Sequence, residues 1–404
     1  ATTHFNIGVL LHDQGKNEEA IRAYSKAISL KSDCAAFHNN LGVVLKDTGA
    51  KEDALKIYEK ALSIDPNYIE ALNNVGVILN SQCKKKEAIE AFKKALQIKP
   101  DYDDAYVNLG NALKRTAFSE HNDDLQKLIV WLLEKGTFVS PRDVSDASVS
   151  LLKLDPKLGH LFKKNLSGIS LESLLVIVDK LSSSPLLMKL TSVCPITDIK
   201  LETFLMDIRK MLLSVISDFN ATPNILRFQA ALALQCHTTG YIYAKTNRED
   251  KLLKQLDASV KKTLKSGKKP SKQIILCLAS YKSLFGYRWD DSTYSIDDIK
   301  EVMERQVLAP KKENLLKPNI AVLEKIENEV SLNVGQQYEL HPYPQWVDLG
   351  LPLNPLNISD MARKSQLKLS DHSITKVKCP RILIAGCGTG KQSIIAAATF
   401  ANSK

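Results

Sequence analysis

The sequence predicts a mainly α-helical protein: a solenoid of helical repeats, an irregular all-α region, and then the first strand and helix of an α/β domain. Three observations lead to this fold class. Glycines recur at a constant interval, at Gly8, Gly42, Gly76 and Gly110. Apolar residues at helical spacing continue well beyond the last of these glycines. Near the end of the sequence, a short apolar run precedes three closely spaced glycines and an alanine-rich segment.

The glycines belong to a longer pattern with the same period. Small residues and aromatic residues follow them at constant spacing, at Ala20, Ala54, Ala88, Tyr24, Tyr58 and Phe92. A small residue lets the two helices of one repeat approach closely, and the aromatic ring fills the space toward the next repeat. Segment 1–116 resembles the tetratricopeptide repeats, with three full repeats and the first helix of a fourth. The resemblance implies antiparallel helix pairs that bind a protein or a peptide.

One polar position also recurs within the repeats. Asn6, Asn40, Asn74 and Asn108 are spaced by the same interval as the glycines, so they form a row along the first helices of the repeats. A primary amide can donate and accept hydrogen bonds at once, which matches the backbone of an extended peptide. The row resembles the asparagine ladder of the O-linked N-acetylglucosamine transferase superhelix. We predict that these residues bind a peptide; the alternative is that asparagine is simply usual at this repeat position.

Region 117–330 has helical periodicity but no repeat. Five stretches predict helices, namely Leu125–Leu133, Leu171–Leu181, Phe204–Phe219, Ile225–Tyr243 and Ile274–Leu284. Loops rich in serine, glycine and proline separate them. Six lysines fall between Lys261 and Lys272, and we interpret this run as a solvated linker rather than a phosphate-binding site. The region is therefore expected to be all-α.

Segment 331–404 predicts the incomplete beginning of a different domain. Ile382–Ala385 is an apolar run typical of a buried parallel strand, and Gln392–Phe400 is alanine-rich and helical. Between them, Gly386, Gly388 and Gly390 form a tight turn. The spacing fits neither a Walker A loop, whose first glycine and final Ser or Thr are missing, nor the G-x-G-x-x-G dinucleotide fingerprint.

This glycine loop resembles motif I of the class I S-adenosylmethionine-dependent methyltransferases, a family with a Rossmann-like α/β fold. The resemblance implies S-adenosylmethionine as the cofactor, and glycines let the loop backbone approach it closely. It implies six cofactor-binding residues: Gly386, Cys387, Gly388, Gly390, Tyr338 and Tyr343. We expect Cys387 to pack rather than react, and the two tyrosines either to cover the cofactor or to form an aromatic core.

The two resemblances together imply a tetratricopeptide protein fused to a methyltransferase domain, in which the repeats recruit a protein substrate or partner. We expect a fragment truncated just after motif I, because the acidic residue for the ribose would lie beyond Lys404. The complete protein would then be a methyltransferase and this chain alone would be inactive. No catalytic residue is predicted. The alternative is a non-enzymatic scaffold for protein interactions.

Composition and charge exclude several other classes. The 404 residues are 44% hydrophobic and 25% charged, as in globular proteins, and no apolar run is long enough for a membrane helix. A net charge of +10 does not by itself indicate nucleic-acid binding. The seven cysteines form no C-x-x-C pair and the histidines have no metal-ligand spacing. We therefore expect a cytoplasmic protein without metal, membrane or nucleic acid.

Overall fold

The computed structural model describes residues 1–316, 318, 355–364, 377 and 391–400. The chain divides into two compact units, Ala1–Thr116 and Ala117–Lys404. Helices are the dominant regular structure in the described residues. The one β-type pairing recorded among them is an isolated parallel bridge between Leu356 and Phe400. The mainly helical fold predicted from the sequence is therefore confirmed, whereas the predicted strand Ile382–Ala385 lies outside the described residues.

The first unit consists of three helix pairs followed by a seventh helix. We call the first helix of each repeat helix A and the second helix B. The A helices are α1 (Thr2–Asp13), α3 (Ala35–Asp47), α5 (Ile69–Ser81) and α7 (Asp103–Leu113). The B helices are α2 (Asn17–Leu30), α4 (Lys51–Ile64) and α6 (Lys85–Ile98). The predicted three repeats and single fourth A helix are thus present.

Helices A and B of a repeat approach closely at the recurring glycine. A Cβ atom added at Gly8 would lie 2.7 Å from the ring of Tyr24, a distance that real side chains do not adopt. The Tyr24 side chain is also packed with Leu41 and Val44 of the next repeat. The aromatic residue therefore contacts its own glycine as well as the following repeat, which extends the role predicted for it.

The A helices form one continuous layer. Successive A helices contact each other directly, and each A helix also packs on the B helix of the preceding repeat. We call the side of this layer that faces away from the B helices the inner surface. Side chains that point away from helix B therefore line this inner surface.

The second unit contains helices of varied length and orientation. They are α8 (Asp123–Lys135), α9 (Ser145–Leu154), α10 (Leu171–Ser182), α11 (Pro185–Val193), α12 (Ile199–Ser214), α13 (Pro223–Thr238), α14 (Asn247–Lys265) and α15 (Lys272–Ala279). Further along are α16 (Lys300–Met303), a π-helical turn (Glu304–Leu308), α17 (Ala309–Leu316), α18 (Ile358–Lys364) and α19 (Lys391–Thr399). The last helix lies where the alanine-rich segment predicted one.

Three helices of this unit end earlier than the sequence predicts. The helix predicted to reach Phe219 ends at Ser214, and the helix predicted to reach Leu284 ends at Ala279. The helix predicted to reach Tyr243 ends at Thr238. It ends there because Gly240 and Tyr241 adopt left-handed conformations, with φ values of 66° and 57°.

The lysine run is a linker only in part, since Lys268 and Lys269 lie between α14 and α15. Its first part belongs to α14, and Lys272 begins α15. The Lys261 ammonium lies 2.7 Å from the Asp257 carboxylate, and Lys272 is paired with Asp298. These lysines are partly neutralised by neighbouring carboxylates, which reduces their attraction for phosphate groups.

The core of the second unit forms where α13, α14 and α15 meet α16. Buried side chains from all four helices pack there, and Trp289 is 8% exposed at its edge. Within the described residues, no helix is both long enough and apolar enough to cross a membrane.

Candidate functional site

The predicted asparagine row lies on the A helices, on the side opposite helix B. Each asparagine precedes the recurring glycine by two positions, which is about 200° around the helix axis. Because the glycine faces helix B, the asparagine points toward the inner surface of the stack. Asn6 is exposed, and Asn40, Asn74 and Asn108 are half-buried. All four amides are thus on the surface that the A helices share.

Two of these amides are held by the preceding repeat. The Nδ2 of Asn74 donates to Oδ1 of Asn39 at 3.1 Å, and the Nδ2 of Asn108 donates to Oδ1 of Asn73 at 3.0 Å. Asn40 behaves differently, because its Nδ2 donates to the Ala36 carbonyl of its own helix at 2.9 Å. The row therefore contains amides in two different hydrogen-bonded states.

Sequence reasoning missed Asn39 and Asn73. They are buried, with exposures of 6% and 7%, and they lie between adjacent A helices. A signal for them was present, since both precede a row asparagine directly and are themselves separated by one repeat period. The corresponding residues of the first and fourth repeats are Phe5 and Val107, so this second row has only two members.

An apolar stripe runs beside the amides. Val9, Val43 and Val77 follow the row asparagines by three positions and are half-buried. Residues three apart share one helix face, so each valine neighbours the amide of its own helix. The inner surface thus offers hydrogen-bonding groups next to aliphatic contacts.

Charged side chains at the ends of α1 and α3 form a small cluster. The Lys46 ammonium lies 3.9 Å from the Asp47 carboxylate, which also lies 3.1 Å from Nε2 of His12. The positive charge at Lys46 is therefore partly compensated.

In the second unit, a buried ion pair organises the cluster where α12, α14 and α15 meet. Arg209 and Glu249 are 2% and 3% exposed, and the Arg209 Nη2 lies 3.9 Å from Glu249 Oε1. The Tyr281 hydroxyl donates to the same carboxylate oxygen at 2.9 Å, and its ring lies 4.2 Å from the guanidinium. Burial alone would raise the pKa of Glu249, but hydrogen bonds from Thr246 and Tyr281 and the Arg209 charge lower it. The carboxylate therefore stays charged.

A half-buried histidine lies at the end of α13. Burial, and secondarily the positive charge of Arg305, lowers the pKa of His237 from 6.5 to about 4. The hydroxyl of Tyr241 lies 3.3 Å from its Nδ1. His237 is therefore a neutral imidazole near pH 7 that packs on a tyrosine.

The residues predicted to bind the cofactor lie outside the part of the chain that the structure describes. These are Gly386, Cys387, Gly388, Gly390, Tyr338 and Tyr343. Among the described residues, no group of three or more His, Cys, Asp or Glu side chains is placed to hold a metal ion.

Two family models match the first unit. The TPR repeat model matches residues 8–49 and 84–116, and the tetratricopeptide repeat model matches residues 35–68. This part of the chain carries tetratricopeptide repeats. The first half of the sequence prediction is therefore confirmed. No curated protein matches the chain.

Solved structures also match the tetratricopeptide region. MamA is 27% identical over 28% of this chain and 65% of its own, with a TM-score of 0.27. The second TPR domain of human RPAP3, solved with an HSP70 peptide, is 24% identical over 28% of this chain and 96% of its own, with a TM-score of 0.28. An O-GlcNAc transferase from Thermobaculum terrenum is 19% identical over 34% of this chain and 26% of its own, with a TM-score of 0.30.

Proposed function

We propose that the tetratricopeptide region binds an extended segment of another protein along the inner surface of its A helices. The observation that carries the proposal is the row of asparagine amides on that surface, two of which are held by the preceding repeat. A peptide backbone presents one N–H and one C=O per residue, and a primary amide can pair with both. Recognition of this kind reads the backbone and tolerates many side chains.

The valine stripe adds to this proposal. An extended peptide directs alternate side chains to opposite faces, so one set would contact the valines while the backbone faces the amides. Each hydrogen bond contributes about 1 kcal/mol and each buried methylene about 0.8 kcal/mol. The expected affinity is micromolar rather than nanomolar, because few such contacts are available.

The proposal is tested with a random peptide library displayed on phage and selected on the whole protein. Selected peptides are then labelled with fluorescein and titrated with wild-type protein and with the double variant Asn74→Ala, Asn108→Ala. We expect a loss of affinity of at least about tenfold, from two hydrogen bonds. The matched control is Gln97→Ala, which removes an exposed amide from the B helix α6. Failure to select any peptide, or equal affinity for all three proteins, would contradict the proposal.

A second candidate function is methyl transfer from S-adenosylmethionine. It is favoured by the sequence Ala385-Gly-Cys-Gly-Thr-Gly390, which follows an apolar strand-like run and precedes the helix Lys391–Thr399. In this proposal Gly386, Gly388 and Gly390 let the loop backbone pass beside the cofactor. The support for it is the sequence pattern, and the repeats would then recruit the protein to be methylated. A non-enzymatic scaffold is the alternative.

Calorimetric titration of S-adenosylmethionine into the natural protein separates these alternatives. Binding that is abolished by Gly388→Val supports the loop, because a branched side chain would block the approach of the cofactor. Binding that survives the substitution would remove the loop from the proposal. No binding at all would favour the scaffold.

A further inference from the structure

We infer that Asn39 and Asn73 are positioning residues, and that the peptide backbone is read mainly at Asn74 and Asn108 rather than at Asn40. The inference rests on the proposed function, since it concerns how the same surface binds its peptide. It goes further by separating the two amides whose partners are buried asparagines from Asn40, whose partner is a carbonyl of its own helix.

The first argument is the geometry of the paired amides. Asn74 and Asn108 each donate from Nδ2 to an asparagine 35 residues earlier, at 3.1 and 3.0 Å. An unrestrained amide can rotate by half a turn and exchange its oxygen and nitrogen. When one N–H is committed to a buried acceptor, this rotation breaks a hydrogen bond. The remaining N–H and the oxygen of each amide are therefore held in one orientation.

The second argument is the burial of the acceptors. Asn39 and Asn73 are 6% and 7% exposed, so water has little access to their amides. A buried polar atom that loses its partner is costly, because no solvent replaces the hydrogen bond. The two pairs are thus strongly favoured in the protein without peptide. Binding then requires little further loss of side-chain entropy at Asn74 and Asn108.

The third argument is the contrast with Asn40. In the first repeat, the position that corresponds to Asn39 and Asn73 is occupied by Phe5. The Phe5 side chain has no hydrogen-bond acceptor and stacks on Phe37, with ring centroids 4.9 Å apart. Asn40 consequently donates to the Ala36 carbonyl, one turn earlier on its own helix. The Ala36 carbonyl already accepts a backbone N–H one turn later in α3, so it keeps a partner when the Asn40 amide rotates, and Asn40 is held less firmly in one orientation. The amide of Asn40 is therefore expected to contribute less.

A ligand-free experiment tests the positioning itself. In protein labelled selectively with 15N-asparagine, we expect the side-chain amide protons of Asn74 and Asn108 to exchange with solvent more slowly than those of Asn6. Replacing the acceptor in Asn73→Ala should raise the exchange rate at Asn108 at least about tenfold and leave Asn74 unchanged. Equal exchange at Asn108 in both proteins would overturn the inference. Melting temperatures measured by circular dichroism verify that the variant is folded.

The binding experiment uses the fluorescein-labelled peptide selected from the phage library. We expect Asn73→Ala to weaken binding about fivefold, as Asn108→Ala does, and Asn40→Ala to change it less than about twofold. Asn73→Asp keeps an acceptor oxygen in the same place and should restore slow exchange at Asn108 and most of the affinity. This rescue would not occur if Asn73 acted only by filling space.

The two proposals fail in different ways. If wild-type protein selects no peptide, the proposed function is wrong and this inference falls with it. If the peptide binds but Asn40→Ala weakens it as much as Asn108→Ala, the proposed function stands and the inference is wrong. The inference is also wrong if Asn73→Ala leaves the affinity unchanged.

Discussion

The backbone of Gly76 lies directly against the ring of Phe92, so that a Cβ atom at Gly76 would be 2.5 Å from the ring carbon Cε1. The same relationship joins Gly42 to Tyr58, at 2.6 Å. Helix A and helix B of each repeat are therefore as close as their backbones and one aromatic ring allow. This closeness makes the glycine position sensitive to a single methyl group.

We expect Gly76→Ala to destabilise the tetratricopeptide region. The added methyl group forces Phe92 out of place, at a cost of about 1 to 3 kcal/mol, of which better helix propensity returns up to about 1 kcal/mol. Urea denaturation followed by circular dichroism measures the change. Combining the substitution with Phe92→Leu should make the two effects less than additive, because the smaller side chain leaves room for the methyl group. A variant as stable as wild type would contradict the close contact.

Tyr58→Phe is expected to stabilise the protein slightly. The Tyr58 side chain is fully buried and its hydroxyl has no hydrogen-bond partner, so its removal avoids a desolvation cost of about 1 kcal/mol. Burial, and then the charge of Asp47, raises the pKa of Tyr58 and keeps it protonated. Phe92 occupies the same position of the third repeat, so the reverse change Phe92→Tyr should destabilise. A lower urea midpoint for Tyr58→Phe would indicate a partner for the hydroxyl.

The stability of the second unit should fall as the pH decreases from about 6.5 toward 4. His237 has a pKa of about 4 in the folded protein, whereas the unfolded chain binds the proton near its usual pKa of 6.5. Between these values the unfolded state holds more protons, so acid favours unfolding, by up to roughly 3 kcal/mol. His237→Gln should reduce this pH dependence in urea titrations. His160→Gln, at an exposed histidine, is the control and should leave it unchanged.

Glu249→Ala should destabilise the second unit strongly. Its carboxylate accepts from the Tyr281 hydroxyl and lies beside the buried Arg209, which would keep its charge without compensation. Breaking such a pair from one side costs about 3 to 5 kcal/mol. Thermal unfolding measures the loss, and Glu313→Ala on an exposed surface serves as control. A loss below about 1 kcal/mol would mean that Arg209 finds another partner.

The sequence predicted the repeat architecture well because its determinants are local. The glycines, alanines and aromatic residues each act through their size at a fixed position, and the constant period of the repeats reports that position directly. The asparagine row follows from the same period. Its peptide-binding role remains a prediction.

The pairing of Asn74 with Asn39 could not be predicted in the same way. It depends on the stagger between neighbouring A helices, which no spacing within one repeat determines. Helix ends in the second unit were missed for a related reason. Apolar spacing continues toward Tyr243, but the left-handed conformations of Gly240 and Tyr241 end the helix. Residues other than glycine rarely adopt this conformation, so the sequence does not predict it at Tyr241.

Each repeat packs on its neighbours in sequence, so the first repeat has one neighbour within the stack and the second and third have two. We therefore expect local opening to be easiest at the first repeat. Detaching α1 and α2 breaks one interface with the rest of the stack, whereas detaching α3 and α4 breaks two. Backbone amides of the second and third repeats should accordingly survive longest in deuterated water, with fraying at the first. The paired amides of Asn74 and Asn108 lie in the third and fourth repeats, so Asn74 belongs to the part of the stack that opens least often.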